Sequence, residues 1–138
     1  MALVLDAGPL VSLLDRDDED HIKCRELILG TTELRVIPAP VLSEVDYFTY
    51  TRGRVQAMID LLDDIVAGSY RVEDLLLSDY QRVRDLCEQY ADSDIGFVDA
   101  AVLAVVERLN EPNLATLDHR HFHILRPRHV DSLTLLPG

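Results

Sequence analysis

The chain has 138 residues, 48% of them hydrophobic, and a formal net charge of −12 at neutral pH. This length and apolar content suit one globular domain and exclude a disordered chain, and no apolar run approaches the ~20 residues of a membrane helix. Two cysteines are too few for a disulfide scaffold or a cysteine-based zinc site, and the negative charge excludes nucleic-acid binding through a generally basic surface.

Short apolar strands alternate with helical stretches along the chain. Strands are predicted at residues 2–5, 34–37, 70–72, 114–117 and 133–136. Helices are predicted to begin near Pro9 and to cover residues 17–29, 40–51, 55–66, 78–90, with Ser78 as the cap, and 96–110. We therefore predict a single α/β domain over residues 1–138, with a short, mostly parallel sheet of four or five strands flanked by helices.

Two aspartates follow predicted strands. Asp6 comes directly after the first strand, and Asp118 comes directly after the fourth. Right-handed crossovers place the carboxyl ends of parallel strands at one edge of the sheet, where ligands of open α/β sheets bind. Either residue alone can be a turn or helix-cap acid, but together they predict a site at this edge.

Three further acids are candidates for the same site. Asp99 begins an almost wholly apolar helix, where an unpaired carboxylate is costly to bury; its alternative role is a first-turn acid that interacts with the helix dipole. Glu44 lies one to two turns into the helix after the second strand, where a surface role is the alternative. Asp94, just before the Asp99 helix, is either a fifth member or a loop acid.

Carboxylates that meet at one sheet edge repel each other unless protons or cations are bound. Oxygen ligands without thiolates favour Mg²⁺ or Mn²⁺. One or two such ions can activate a water molecule and stabilise charge on a phosphodiester during hydrolysis. Acids concentrated at a cation site therefore reconcile the charge of −12 with a nucleic-acid substrate.

Four segments carrying these acids resemble the PIN domain, specifically the VapC-type toxin ribonucleases. The segments are VLDAGPL at 4–10, PVLSEV at 40–45, FVDAAV at 97–102 and LATLD at 114–118. The resemblance implies an endoribonuclease that depends on Mg²⁺ or Mn²⁺, forms a homodimer and has a cognate VapB antitoxin.

The same resemblance assigns roles to individual residues. It implies an acidic catalytic site of Asp6, Glu44, Asp99 and Asp118, with Asp6, Asp99, Asp118 and Asp94 as metal ligands and Thr116 as a supporting hydroxyl. Many family members carry Ser, Thr or Asn two residues after the first aspartate. This chain has Gly8 there, so that polar contact is either missing or supplied by Ser12.

Three arginines are candidates for RNA contact. Arg120 and Arg126 belong to the His-rich basic segment 119–129, directly after Asp118, and Arg52 follows the Glu44 helix. A phosphate-contacting rim is one interpretation of the segment 119–129. A solvated surface loop and a His-rich metal site are the alternatives.

The leading hypothesis is RNA hydrolysis by ion-activated water. One alternative is a PIN-like module that binds RNA or protein without cutting, and another is a different metal-dependent phosphoesterase, such as a phosphatase or a DNA nuclease. Keeping four acids argues against a pure binding module, because such a module gains nothing from their repulsion. No P-loop or Gly-rich dinucleotide motif is present.

The expected location follows from the N-terminus and the cysteines. No basic stretch precedes an apolar one at the N-terminus, so no secretion signal is visible. Cys24 and Cys87 fall at apolar helical positions, which favours free buried thiols in a reducing compartment. We expect a cytoplasmic protein without a membrane span.

Overall fold

The computed structural model describes all 138 residues and contains five strands and seven helices. The strands are β1 (Ala2–Leu5), β2 (Leu34–Pro38), β3 (Arg71–Glu73), β4 (Asn113–Ala115) and β5 (Thr134–Leu136). The helices are α1 (Ala7–Leu14), α2 (His21–Gly30), α3 (Val41–Thr51), α4 (Val55–Val66), α5 (Leu77–Gln89), α6 (Phe97–Arg108) and α7 (His119–Ile124).

The five strands form one parallel sheet in the order β3-β2-β1-β4-β5. Val4 in the centre of this sheet lies opposite Val36 on one side and Leu114 on the other. From β1 the chain adds β2 and then β3 on one side of the sheet, and afterwards β4 and β5 on the other side. The direction in which strands are added therefore reverses between β1 and β4. Ligands of such sheets bind at this switch point. The predicted α/β class with a parallel sheet is confirmed.

The core lies between the sheet and its helices. All four residues of β1 are buried, and every residue of α6 from Ala100 to Val106 is also buried. This confirms the prediction that the helix carrying Asp99 runs through the interior. Both cysteines are free; Cys24 is buried and Cys87 is half-buried. None of the seven helices combines the length and the apolar character needed to cross a bilayer.

The predicted helix at 17–29 begins later in the structure, at His21. The acids before it form turns: Asp18 Oδ1 accepts a hydrogen bond from the backbone N–H of Asp20 at 2.9 Å. Asp side chains that bond nearby backbone N–H groups compete with helix formation. The acid-rich start of this segment is therefore a structured turn rather than a first helical turn.

The sequence predicted Ser78 as the cap of its helix, but the structure places Ser78 inside the helix. α5 begins one residue earlier, at Leu77. The side chain of Asp79 closes the start of the helix, because its Oδ2 accepts a hydrogen bond from the backbone N–H of Leu76 at 2.9 Å. A carboxylate accepts this bond more strongly than a serine hydroxyl would.

The segment from Leu114 to His129 also differs from its prediction. β4 ends at Ala115 rather than at residue 117, although the backbone N–H of Thr116 still donates to the carbonyl of Leu136 at 2.8 Å. Residues 119–124 form α7, whose Phe122 is buried. A solvated loop is therefore the wrong description of this part of the basic segment.

Candidate active site

Asp6 directly follows β1 and is held by three hydrogen bonds. Its backbone N–H donates to the carbonyl of Ala115 in the neighbouring strand at 2.9 Å. Its side chain caps α1, where Oδ1 accepts from the N–H of Ala7 at 2.8 Å, and Oδ2 accepts from the hydroxyl of Thr116 at 2.8 Å. With only 5% of its surface exposed, Asp6 is a buried acid whose two oxygens have fixed directions.

Thr116 connects the ends of the two central strands. The same hydroxyl oxygen that donates to Asp6 accepts a hydrogen bond from the backbone N–H of Asp118 at 3.0 Å. Thr116 is buried, and its hydrogen bond to Asp6 is shielded from water. The structure therefore places the hydroxyl of Thr116, the supporting residue that the resemblance implies, in contact with Asp6 and with the backbone of Asp118.

Asp118 is the N-cap of α7, as Asp6 is the N-cap of α1. Its Oδ1 accepts from the backbone N–H of His121 at 3.2 Å. The ring Nδ1 of His121 lies 2.7 Å from Asp118 Oδ2 and 3.0 Å from Asp99 Oδ2. His121 therefore bridges the two carboxylates.

The sequence did not single out His121 among the histidines of segment 119–129. Its spacing of three residues from Asp118 is a usable signal, because residues three apart on a helix are neighbours. The signal was hidden because α7 was not predicted as a helix. Once the helix is present, His121 lies over its own N-terminal aspartate.

Interactions between the carboxylates show that the four acids meet. Burial raises the pKa of Glu44, and so do the charges of Asp6 and Asp118. Burial, followed by the charges of Asp6 and Asp118, raises the pKa of Asp99 to about 6, against the lowering effect of His121. The charges of acids that are distant in the sequence therefore raise the pKa of both Glu44 and Asp99.

Asp6 has a raised pKa for a related reason. Burial makes the largest contribution, the hydrogen bonds from Thr116 and Ala7 oppose it, and the charge of Asp118 adds to it. Even with two hydrogen-bond donors, the charged form of Asp6 is disfavoured without a cation. The structure thus concentrates uncompensated negative charge at the switch point of the sheet.

The donor groups fit a divalent cation. One ligand atom each from Asp99, Asp118 and His121 can lie within 4.8 Å of the others, which is a spacing that one ion can span. Asp6 and Glu44 add further carboxylate oxygens close enough to shift the pKa of Asp99. Mostly oxygen ligands favour a hard cation such as Mg²⁺ or Mn²⁺.

Asp94 is placed differently from these four acids. It is exposed in the turn before α6, with its backbone in the left-handed region at φ 56°. Its charge contributes to the pKa shift of neither Asp6 nor Glu44. The structure therefore does not bring Asp94 into the cluster as it does the others.

Ser12 does not replace the polar side chain that Gly8 lacks. The hydroxyl of Ser12 donates to Asp18 Oδ1 at 2.9 Å, away from Asp6. Gly8 instead packs against Leu117, whose Cβ would lie only 3.3 Å from a Cβ on Gly8. Of the two alternatives, the structure therefore favours a missing contact, because the hydroxyl of Ser12 is used in the turn before α2.

The three candidate RNA-contact arginines have different surroundings. Arg120 and Arg126 are exposed, in and directly after α7. Arg52 is held by two acids, since its Nη1 donates to Asp15 Oδ2 and Asp18 Oδ2 at 2.9 Å each. Arg120 and Arg126 are thus available to a polyanion, whereas Arg52 is exposed but has its Nη1 group paired with two carboxylates.

A family model described as PIN domain matches residues 3–126 of the chain. Ribonuclease VapC26 from Mycobacterium tuberculosis (strain ATCC 25618 / H37Rv) is 27% identical over 135 residues, which make up 98% of this chain and all of that protein. The match therefore covers the strands and helices that carry the acidic cluster.

Solved structures share the fold at low sequence identity. VapC20 of Mycobacterium tuberculosis, a sarcin-ricin loop cleaving toxin, has a TM-score of 0.81 at 18% identity over 94% of this chain and 98% of that one. VapBC2 from Rickettsia felis, bound to a DNA fragment from its promoter, has a TM-score of 0.70 at 17% identity over 98% of both chains. A toxin–antitoxin complex from Klebsiella pneumoniae gives 0.66 at 15% identity, over 87% and 89%. The resemblance to VapC-type proteins is confirmed, and the chain belongs to the PIN domain family.

Proposed function

We propose that this protein is the endoribonuclease toxin of a VapBC-type toxin–antitoxin pair, and that it hydrolyses RNA with the help of Mg²⁺ or Mn²⁺. The observation that carries the proposal is the meeting of Asp6, Glu44, Asp99 and Asp118 at the switch point of the sheet. Similarity over the full length of a protein named a ribonuclease supports the same activity. A fold that only bound RNA would gain nothing from this mutual repulsion.

Asp6, Asp99 and Asp118 are the proposed metal ligands, with Glu44 beside them. When bound, the divalent ion supplies charge stabilisation for the phosphate and lowers the pKa of a water nucleophile. Thr116 fixes the orientation of Asp6, and His121 fixes that of Asp118 through Nδ1. Such hydrogen bonds behind the ligands set their direction and basicity. Asp94 is left out of the proposed ligand set because it is exposed in a turn.

RNA is the proposed substrate, and Arg120 and Arg126 are its proposed phosphate contacts. Both are exposed in the segment that follows Asp118 in the sequence, so we expect a phosphate chain leaving the acidic cluster to pass them. Their positive charge offsets the repulsion that a chain of net charge −12 exerts on RNA.

A VapB-type antitoxin is the proposed partner, and a homodimer is the proposed assembly. Two of the similar structures are a VapBC protein and a toxin–antitoxin complex. We expect the antitoxin to present an arginine to the acids, because a guanidinium pairs with carboxylates through two hydrogen bonds. The negative charge of the toxin would speed this association. The free thiols of Cys24 and Cys87 agree with action in the reducing cytoplasm.

RNA cleavage by purified protein tests the proposal. Single-stranded RNA and DNA of the same sequence are incubated with Mg²⁺, with Mn²⁺, or with EDTA, and Asp99→Asn is run alongside to exclude a contaminating nuclease. We expect the wild type to cleave RNA but not DNA, and to do so with Mg²⁺ or Mn²⁺ but not in EDTA. Asp99→Asn should cleave neither nucleic acid. Cleavage that survives EDTA or the Asp99 substitution contradicts the assignment. Cleavage of DNA alone would favour a DNA nuclease.

A further inference from the structure

A small cavity lies beside the acidic cluster and is not used by the proposed chemistry. It has a volume of about 150 Å³, and its walls include Gly8 and Leu117. Gly8 lies two residues after Asp6, and Leu117 directly precedes Asp118. The cavity therefore shares its walls with the two segments that position the central acids.

One wall of the cavity is apolar and aromatic. Val11 on α1 and Phe48 on α3 line it, and 41% of the surface of Phe48 is exposed. The ring of Tyr47 packs edge-on against that of Phe48, with centroids 5.3 Å apart. An exposed aromatic ring in a nuclease fold is a surface on which an unpaired base can stack.

Arg52, four residues after Phe48 and hydrogen-bonded to its carbonyl through the backbone, adds a fixed guanidinium to the lining of the cavity. Nη1 of Arg52 is held by Asp15 and Asp18 at 2.9 Å each, whereas its Nε and Nη2 make no hydrogen bond within the chain. An arginine has five N–H donors in one plane, so three of them stay available. Because the plane is already fixed, little conformational freedom is lost when a ligand binds it.

The charges around Arg52 favour a neutral ligand over a phosphate. Asp15, Asp17 and Asp18 face only the two cations Arg52 and Arg54, which leaves an excess of negative charge. Asp18 is ionised at neutral pH: burial opposes this, but the hydrogen bond from Arg52 and other hydrogen bonds hold its pKa below the usual range. An uncharged base enters such a site without the repulsion that a phosphate would meet.

We propose that this cavity binds one unpaired guanine of the RNA substrate, next to the scissile phosphate. Phe48 stacks on the base, and the free Nε and Nη2 of Arg52 donate to O6 and N7, the commonest specific contact between arginine and a base. The cavity is far smaller than the roughly 300–1,000 Å³ pockets that hold drug-sized ligands, so it suits a single ring system. This inference rests on the proposed ribonuclease function and adds a base preference to it.

Binding of nucleosides to the metal-free protein tests the cavity without cleavage. Guanosine, adenosine, cytidine and uridine are titrated in EDTA and followed by NMR of the Phe48 ring and the Arg52 Nε. We expect guanosine to bind best and to shift both signals. Arg52→Lys keeps the positive charge but loses the planar fork, so it should weaken guanosine binding roughly tenfold.

Two matched controls separate recognition from folding. Arg54→Lys changes an arginine that is also paired with two acids, Asp15 and Asp17, but does not line the cavity, so guanosine binding should be unchanged. Phe48→Leu should weaken guanosine binding, whereas Tyr50→Leu, which changes an exposed aromatic on the same helix, should not. The melting temperatures of all four variants establish that they are folded.

Cleavage of a randomised RNA pool distinguishes failure of this inference from failure of the proposed function. If wild type cuts RNA next to guanine and Arg52→Lys cuts without base preference, the inference holds. If wild type cuts RNA but guanosine binds no better than the other nucleosides, the base site is wrong and the ribonuclease stands. If guanosine binds at the cavity but no RNA is cut, the ribonuclease proposal fails instead. If the Phe48 and Arg52 variants lose only binding of a partner protein, the cavity is a protein-docking site and the inference is overturned.

Discussion

The hydroxyl of Thr116 donates a 2.8 Å hydrogen bond to Asp6 Oδ2 across 110 residues of sequence. This bond ties the end of β1 to the end of β4 at the point where the order of the sheet reverses. The same oxygen accepts from the N–H of Asp118, so one buried side chain sets the spacing of two acids. The geometry of the cluster therefore depends on a residue that carries no charge.

Removing this hydroxyl should misdirect Asp6. In Thr116→Val the buried Asp6 oxygen loses its donor, which we expect to cost about 1–3 kcal/mol of stability. Cleavage should fall by roughly 10–100-fold, the usual effect of losing a residue that orients a metal ligand. Thermal unfolding and initial cleavage rates measure the two effects.

Two variants make the test of Thr116 specific. Thr116→Ser keeps the hydroxyl and should retain most of the activity. Thr49→Val removes another buried hydroxyl, which bonds only to carbonyls of its own helix, and should destabilise without changing cleavage of RNA by the folded protein. Equal cleavage by Thr116→Val and Thr116→Ser would contradict the positioning role.

Asp99→Asn separates a metal ligand from an ordinary first-turn acid. The substitution removes one repelling charge from the cluster, so the metal-free protein should melt at the same or a higher temperature. Cleavage should fall by orders of magnitude, and the rise in melting temperature that millimolar Mn²⁺ gives the wild type should shrink.

The control for Asp99 is Asp92→Asn, which changes an exposed acid in the turn before α6. It should keep both cleavage and the Mn²⁺-dependent rise in melting temperature. If Asp99→Asn cleaves RNA as fast as the wild type does, Asp99 is not part of the site. A wild type that does not respond to millimolar metal would argue against the cluster as a metal centre.

The raised pKa of Asp99 predicts how stability depends on pH. Its folded pKa is about 6, above the ordinary aspartate pKa of 3.8, so the folded state holds the proton more tightly than the unfolded state does. Between these two values the folded state binds more protons, and this contribution to stability decreases as the pH rises. The metal-free wild type should therefore lose stability relative to Asp99→Asn as the pH rises from about 4 to about 7.

Comparing the wild type with Asp99→Asn removes the contribution of other acids, whose stabilising effect increases with pH. Hydrogen bonds outweigh burial at Asp15 and Asp18 and lower their pKa, so their stabilisation is lost at low pH in both proteins alike. Urea unfolding at several pH values in EDTA gives the difference. A difference that does not change with pH would mean that the proton on Asp99 is held no more tightly in the folded protein.

The exposed arginines of the basic segment predict the salt dependence of RNA binding. Arg120→Ala and Arg126→Ala should each weaken binding and reduce the slope of log K against log salt by about 0.7 for each lost phosphate contact. Arg84→Ala is the control, because Arg84 is exposed on α5 but is paired with Asp85 and Glu88. Filter binding with Asp99→Asn as the common background prevents cleavage during the measurement. Unchanged slopes would remove both arginines from the RNA path.

Local pattern was sufficient for the architecture. The alternation of apolar strands with helices predicted the parallel sheet. Strands buried on both faces appear in the sequence as short continuous apolar runs, whereas helices have apolar residues three or four positions apart. The continuous apolar stretch after Asp99 predicted a buried helix, and α6 is buried from Ala100 to Val106. Asp6 and Asp118 then lie at one edge of the sheet, because parallel strands joined by right-handed crossovers all have their carboxyl ends at the same edge.

Side-chain partners were decided only by the tertiary structure. The sequence left open whether Ser12 supplies the contact that Gly8 lacks; in the structure its hydroxyl donates to Asp18, and Arg52 is held by the acids of the same turn. His121 became a member of the site only because α7 brings its ring between two carboxylates. A strand or helix records its own period in the sequence, whereas a hydrogen bond between distant side chains depends on distances that no local pattern contains. The sequence by itself therefore determined the sheet edge and its acids, and the packing of the chain determined which groups hold those acids in place.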